Sequence, residues 1–444
     1  MTVKFLGRTI LPLVAAGLLV VACNSTTTNN AGPPTAFAVL RLTTTGTPDP
    51  AFGSGGAGFV ITDINTTLFD FAMAVAIQPD SKIIAGGSNG LGGQGTIALV
   101  RYTPNGTPDA TFGTGGIVTT PTPGGWSGGT ASAIAVQADN KIVVAALLFN
   151  APTSTTGIAV LRYNTDGTLD TTGFAAPAGF VTATIGPGLA GDGCAMALQG
   201  TNIVVAGAST NGNLVLWRFD TNGNLDTTFG PVPNGSVTTN LGTNTSATSP
   251  ALAFQSTGSI ILVSGNGLDH VMARYSANGV LDTTFNPPGT ATPGVVVTDA
   301  GGVDFANAVA VQSDDKIVVA GHANVNFTLN TSDISLIRYN PDGTLDTTTF
   351  GATTGMVTTD LSGRFDNAFS VALQADGKIL VSGNTGSGGF SQAAVFRYNT
   401  DGTQDPAFGT NGVVIAPLFG PSNIASGNAV MLQSTLGIVV AGYD

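Results

Sequence analysis

The chain contains no glutamate: all 26 of its acidic residues are Asp. Glu is a good helix former, whereas Asp, Asn, Thr and the 62 Gly favour turns or strands, so a helix-rich fold is excluded. Charge is scarce too. Only 9% of the residues are charged while 42% are hydrophobic, which rules out a disordered chain and suffices for one large core. With 14 basic residues and a net charge of -12, the surface repels phosphate backbones, and nucleic-acid binding is excluded as a class. Cysteine and histidine number two each. No H-E-x-x-H or phosphate loop occurs, so neither a zinc-hydrolase helix motif nor a nucleotide loop is present. Asp clusters acting on water or a metal remain the open enzymatic route.

At the N-terminus, Lys4 and Arg8 precede an apolar run from Ile10 to Ala22, too short to span a bilayer comfortably but suited to an export-signal core. It ends in Val20-Val21-Ala22-Cys23, which resembles the bacterial lipoprotein box. That resemblance implies removal of residues 1–22, lipidation of Cys23, and an exported lipoprotein held at the cell envelope or surface through its lipid. An ordinary cleaved signal and a retained anchor are the alternatives. Residues 23–35 are polar and contain Pro, and read as a flexible tether to a domain over 36–444. Cleavage takes Lys4 and Arg8 away and leaves 12 basic side chains. With Cys23 acylated, Cys194 has no partner and reads as a small buried residue.

One unit recurs seven times along this domain. An Arg followed by an aromatic residue, once by Leu, stands at Arg41, Arg101, Arg162, Arg218, Arg274, Arg338 and Arg397, at spacings of 56 to 64 residues. A Gln closing an apolar stretch recurs at Gln78, Gln137, Gln199, Gln255, Gln312, Gln374 and Gln433. Each unit holds four strand-like runs, shown in the sixth copy by MVTTDL from Met356, AFSVALQ from Ala368, KILVSG from Lys378 and AAVFRY from Ala393. The Q-A-D-G-K junction is a tight hairpin signal, and before each Gln small and large residues alternate with period two.

Repeats of about sixty residues with four strands each suit propeller blades, and seven is within the usual count. The predicted fold is all-β: a seven-bladed β-propeller with four antiparallel strands per blade. The domain opens on AFAVLRL from Ala36, the kind of strand that ends a unit, and finishes after GIVVAG, a third strand. Residues 36–42 are therefore expected to complete the last sheet with strands after Gly412, closing the ring.

The pattern R-Y-N-x-D-G-T-L-D-x-T-F-G, V-T-T, A-x-A-V-A-x-Q-x-D-G-K-I-V-V-A-G resembles the delta-60 repeat of bacterial exported and surface proteins. The resemblance covers essentially the whole chain after the tether and implies a propeller without an established activity. Asn202 with Ile203, Ser259 and Gly437 depart from the pattern where other copies carry Lys82, Lys141, Lys316 and Lys378.

Eight residues after each Arg comes an Asp: Asp49, Asp109, Asp170, Asp226, Asp282, Asp346 and Asp405. The structural reading is seven Arg–Asp pairs that hold the crossing to the next blade, with Phe52, Phe112, Phe174, Phe229, Phe285, Phe350 and Phe408 as apolar anchors of the same loops. The alternative is calcium, since Asn164, Asp166 and Asp170, like Asn340, Asp342 and Asp346, place oxygen ligands in a Gly-containing loop. The spacing departs from known calcium loops, and Thr45, Asn105, Asn222 and Asn278 replace the middle Asp elsewhere, so turn chemistry is the expectation and no cofactor is assigned. His270 and His322 stand apart from any second ligand and read as structural.

Segments between each Gln and the next Arg vary most, from 19 to 26 residues, and belong to the rim opposite the tight hairpins. Uneven loops on a rigid frame are the usual binding surface. The candidate ligand-rim aromatics are Phe69, Trp126, Phe149, Phe327, Phe390 and Phe419, with Trp126 suited to stacking on a sugar or an apolar patch. These features point to a monomeric binding or scaffold module for an envelope protein or glycan. A polysaccharide-binding or calcium-dependent hydrolase, and a purely structural or adhesive protein, are the alternatives.

Overall fold

In a computed structural model, residues 35–443 are described apart from 67, 91–94, 188–192, 209–212, 233–234, 241–249, 287–291, 327–330, 362–364, 388–389, 417–424 and 435. The export signal, Cys23 and most of the tether lie outside the described residues.

Among the described residues, twenty-eight strands form seven four-stranded antiparallel blades. Blade I runs from the axis outward as Asp70–Ile77, Ile83–Asn89, Thr96–Tyr102 and Ile117–Thr120. Blades II to VI repeat this order over 128–187, 195–240, 251–298, 305–359 and 365–415. Blade VII is assembled from both ends of the chain: Ser426–Gln433 and Gly437–Tyr443, then Phe37–Leu42 and Phe59–Thr62. Val39 pairs with Ala441 and Arg41 with Val439. The inner strands pack each on the next around the axis, and that of blade VII meets that of blade I.

The expected clasp is therefore present, with one correction. Two N-terminal strands rather than one complete the last blade, and Val413–Ile415, the strand just after Gly412, belongs to blade VI instead. The V-T-T run that opens each sequence unit is in every case the outer strand of the preceding blade, so sequence units straddle two sheets.

The core lies between the blades. Seven buried clusters each join two adjoining blades, from Ala98 and Tyr102 against Val439 and Ala441 at the junction of VII and I, to Leu380 and Phe396 around VI. Fully burying one such aliphatic or aromatic side chain contributes about 1.5–3 kcal/mol, so each interface is a small core of its own. Five inner strands carry a bulge, at Met73, Ser132, Asn307, Phe369 and Asn428. The Asn428 amide donates to Ala72 O and that of Asn307 to Ala368 O, so bulge side chains tie neighbouring inner strands together. Facing four of these bulges, Gly87, Gly321, Gly383 and Gly442 leave no room for a Cβ against the opposing carbonyl, which accounts for the Gly of V-V-A-G.

The loop Gly of each N-x-D-G-T turn is similarly constrained: Gly343 has φ +90° and a Cβ there would stand 2.9 Å from the Phe285 ring of the previous blade. Gly343→Ala is expected to lower unfolding stability by about 2–4 kcal/mol through left-handed strain and overpacking. Gly115→Ala, at φ +63° with open space around it, should show only the strain term of about 1–2 kcal/mol. Equal denaturation midpoints for the two variants would refute this account of the ring contact.

Candidate functional site

The seven Arg–Asp pairs form, and each Arg makes two further contacts. Its Nε donates to the Asp eight residues on, at 2.7 to 2.9 Å. Its guanidinium lies over the Phe of the same loop at 4.4 to 4.9 Å from the ring centre. Its Nη1 donates to a backbone carbonyl of the next blade: Pro104, Thr165, Thr221, Ala277, Pro341, Thr400 and, from Arg397 in blade VI, Thr44 of blade VII. The planar fork of Arg permits these contacts at once, which Lys would not.

The Asp carboxylates are likewise committed. Oδ1 of Asp109 accepts the Thr111 amide and hydroxyl, and Oδ1 of Asp166 accepts those of Thr168, so these oxygens already serve the turns. Where the hairpin carries Lys, its Nζ joins the same carboxylate, as Lys141 does at 2.7 Å from Asp170 and Lys378 at 2.7 Å from Asp405. In the three blades without that Lys, the Gln side chain takes part instead, Oε1 of Gln433, Gln199 and Gln255 accepting from Arg41, Arg218 and Arg274. Burial opposes ionisation of Asp170, but Lys141, the Gly173 amide and Arg162 outweigh it and hold the carboxyl down at about 2.

The opposite rim is differently built. All described Arg and Lys are engaged at the hairpin rim, and none stands here. Phe69 is half-buried and stacks with Phe71, which meets Tyr443 edge-on. Phe149 is the last residue but one of the second strand of blade II, half-buried. Trp126 packs over the backbone of Gly157 and so fills a local gap rather than standing free. Phe390 begins a strand of blade VI; its side chain, and Phe327 and Phe419 entirely, lie outside the described residues.

Sequence reasoning passed over a set of buried carboxylates on this rim. Asp70, Asp304 and Asp366 are 0% exposed at the start of three inner strands. Each accepts a backbone N–H from the incoming crossover, of Ile64, Ala300 and Leu361, and each of these residues follows an Asp after the V-T-T-type strand: Asp63, Asp299 and Asp360. Burial pushes Asp304 up to about 6, with the Asp299 and Asp269 carboxylates adding to the rise and the amides of Ala300 and Asn324 opposing it. The recurrent T-D-x before a second Asp was the available signal. His270 shares a 3.0 Å hydrogen bond with Ser335, and His322 accepts from Asn307. Burial lowers them to about 4 and about 3, so both are neutral at pH 7 and sealed from substrate.

Asp170→Asn, which strands Arg162 and Lys141 in a buried site, is expected to cost about 3–5 kcal/mol. Asp282→Asn, whose pair with Arg274 is 27% exposed on the Asp side and lacks a Lys, should cost less than half as much. A carboxylate depressed on folding stabilises fully above its unfolded value of about 3.9 and loses that stabilisation as pH falls through the folded value. The Asp170→Asn deficit should accordingly shrink between pH about 4 and about 2; a deficit constant over that window in urea titrations would contradict the pairing.

Among curated proteins none matches this sequence. Solved structures with similar coordinates include a protein of unknown function from Dyadobacter fermentans DSM 18053 (12% identity, 84% of this chain and 94% of that one, TM-score 0.40). Others are Sqt1 of Chaetomium thermophilum bound to the N-terminus of ribosomal protein L10 (10%, 84% and 94%, 0.46), and the GH93 α-L-arabinofuranosidase of Fusarium graminearum with arabinobiose (9%, 92% and 98%, 0.44). A family model described as "Domain of unknown function (DUF5122) beta-propeller" matches seven times, over 19–52, 78–112, 137–172, 202–229, 255–285, 312–348 and 374–408. These matches take in more than half of the chain and each includes the repeat Arg and its Asp, and the protein belongs to the DUF5122 β-propeller family.

Proposed function

We propose that this chain is a lipid-anchored, exported propeller that works as a binding or scaffold module at the cell envelope, taking an envelope protein or glycan on the rim opposite its hairpins. The observation that carries the reading is the contrast between the rims. On the hairpin rim every described Arg and Lys is bound to a carboxylate, and the loops are spliced blade to blade by hydrogen bonds. The other rim holds the connections of uneven length, with Phe69 and Phe149 half-exposed; its blades are joined at the strand ends, as by Gly129 N to Gly95 O and Asp304 N to Leu268 O, and no described Arg or Lys takes part. Acceptor-rich and without described cations, it suits hydroxyl-bearing or neutral partners rather than nucleic acid. The module acts as a monomer, and Cys23 carries the lipid.

The test is capture of envelope glycans and envelope proteins on the purified protein, with and without calcium. Phe69→Ala combined with Phe149→Ala should reduce capture at least tenfold while shifting the melting temperature by only a few degrees. Asp139→Asn, on an exposed hairpin, should leave capture unchanged. Capture indifferent to the first variant and sensitive to the second would move the binding surface to the hairpin rim.

A further inference from the structure

We propose that Asp269, Asp299 and Asp304 bind a hard divalent cation of the calcium class where blade IV passes into blade V. One carboxylate oxygen from each of the three lies within 4.8 Å of the others. A cation bound at about 2.3–2.6 Å from each oxygen needs separations of that order. The three residues come from different segments: Asp269 from the loop before His270, Asp299 from the crossover after Val295–Thr298, and Asp304 from the first position before Phe305–Val311. Their convergence is a product of the fold.

An acidic group on a surface is ordinarily solvated and needs no ion, and the second observation concerns Asp304. It is 0% exposed, and although Oδ2 accepts the Ala300 amide, Oδ1 is buried with no hydrogen bond of normal geometry. The equivalent carboxylate in blade I shows what is missing. There the cross-strand residue Asn89 donates to Asp70 Oδ1 at 2.6 Å. In blade VI Thr385 stands opposite Asp366, whose Oδ1 also lacks a hydrogen bond of normal geometry; among the described residues only the blade V carboxylate is met by two others within 4.8 Å. Opposite Asp304, by the same register, stands Ala323, whose side chain has nothing to donate, and the adjoining Asn324 amide, which also faces this carboxylate, donates to Gly301 O at 2.8 Å. In place of a donor, two more carboxylates approach. A buried acceptor left unpaired is costly, and a cation met by three carboxylates removes that cost together with their mutual repulsion. Oxygen-only donors select calcium or magnesium over zinc or copper.

This site is separate from the Asn164–Asp170 type of loop, whose carboxylates are occupied by their own turns, and it stands whether or not the rim takes a polymer. Metal-stripped protein titrated with calcium and with magnesium chloride in a calorimeter, alongside thermal melts, should bind calcium at one site and melt several degrees higher when saturated. Asp299→Asn and Asp304→Asn should each weaken binding at least tenfold, and the more accessible Asp269→Asn supplies the same readout should Asp304→Asn fail to fold. Asp70→Asn and Asp166→Asn should leave affinity within twofold. No heat of binding up to millimolar calcium or magnesium would overturn the proposal. So would binding that survives both Asp269→Asn and Asp299→Asn, or binding lost in Asp166→Asn, which would assign the ion to the repeat loops.

Discussion

One guanidinium per blade holds the ring together. It neutralises the carboxylate of its own loop, lies over that loop's Phe and donates to a carbonyl of the next blade, so a single side chain joins turn, core and neighbour. The Phe in turn packs beneath the next blade's left-handed Gly, as Phe285 does under Gly343. Because the arrangement is head-to-tail, it has no terminus once seven copies are present: Arg397 reaches Thr44, and the Gly409 amide donates to Thr45 O. Closure leaves no blade with an unpaired neighbour, which is how a propeller avoids the capping units a linear array requires.

The same economy divides the molecule into two faces. Every described Arg and Lys stands on one rim, where burial strengthens most of the pairs and where Gln substitutes when the hairpin Lys is missing. Among the described residues, the opposite rim carries aromatic edges and carboxylates that each accept a backbone amide. Variation in loop length can accumulate there without loosening the joint. At blades IV and V, Ala323 stands where blade I has the donor Asn89, and two further carboxylates approach Asp304 instead.

Sequence alone determined the repeat count, the all-β class, the hairpins and the pairing of each Arg with the Asp eight residues on, because these depend on periodicity and on contacts within one loop. It also anticipated that the terminal strands meet, as Val39 and Ala441 do. What tertiary structure decided were contacts between residues of different blades. The assignment of V-T-T to the preceding sheet, the bulges that demand Gly442 and its counterparts, and the packing of Trp126 over Gly157 carry little local signal. The meeting of Asp269, Asp299 and Asp304 carries even less, for their neighbourhood exists only after blade IV has docked on blade V, and burial, which converts a solvated carboxylate into a demanding one, is a property of the packed ring rather than of the chain.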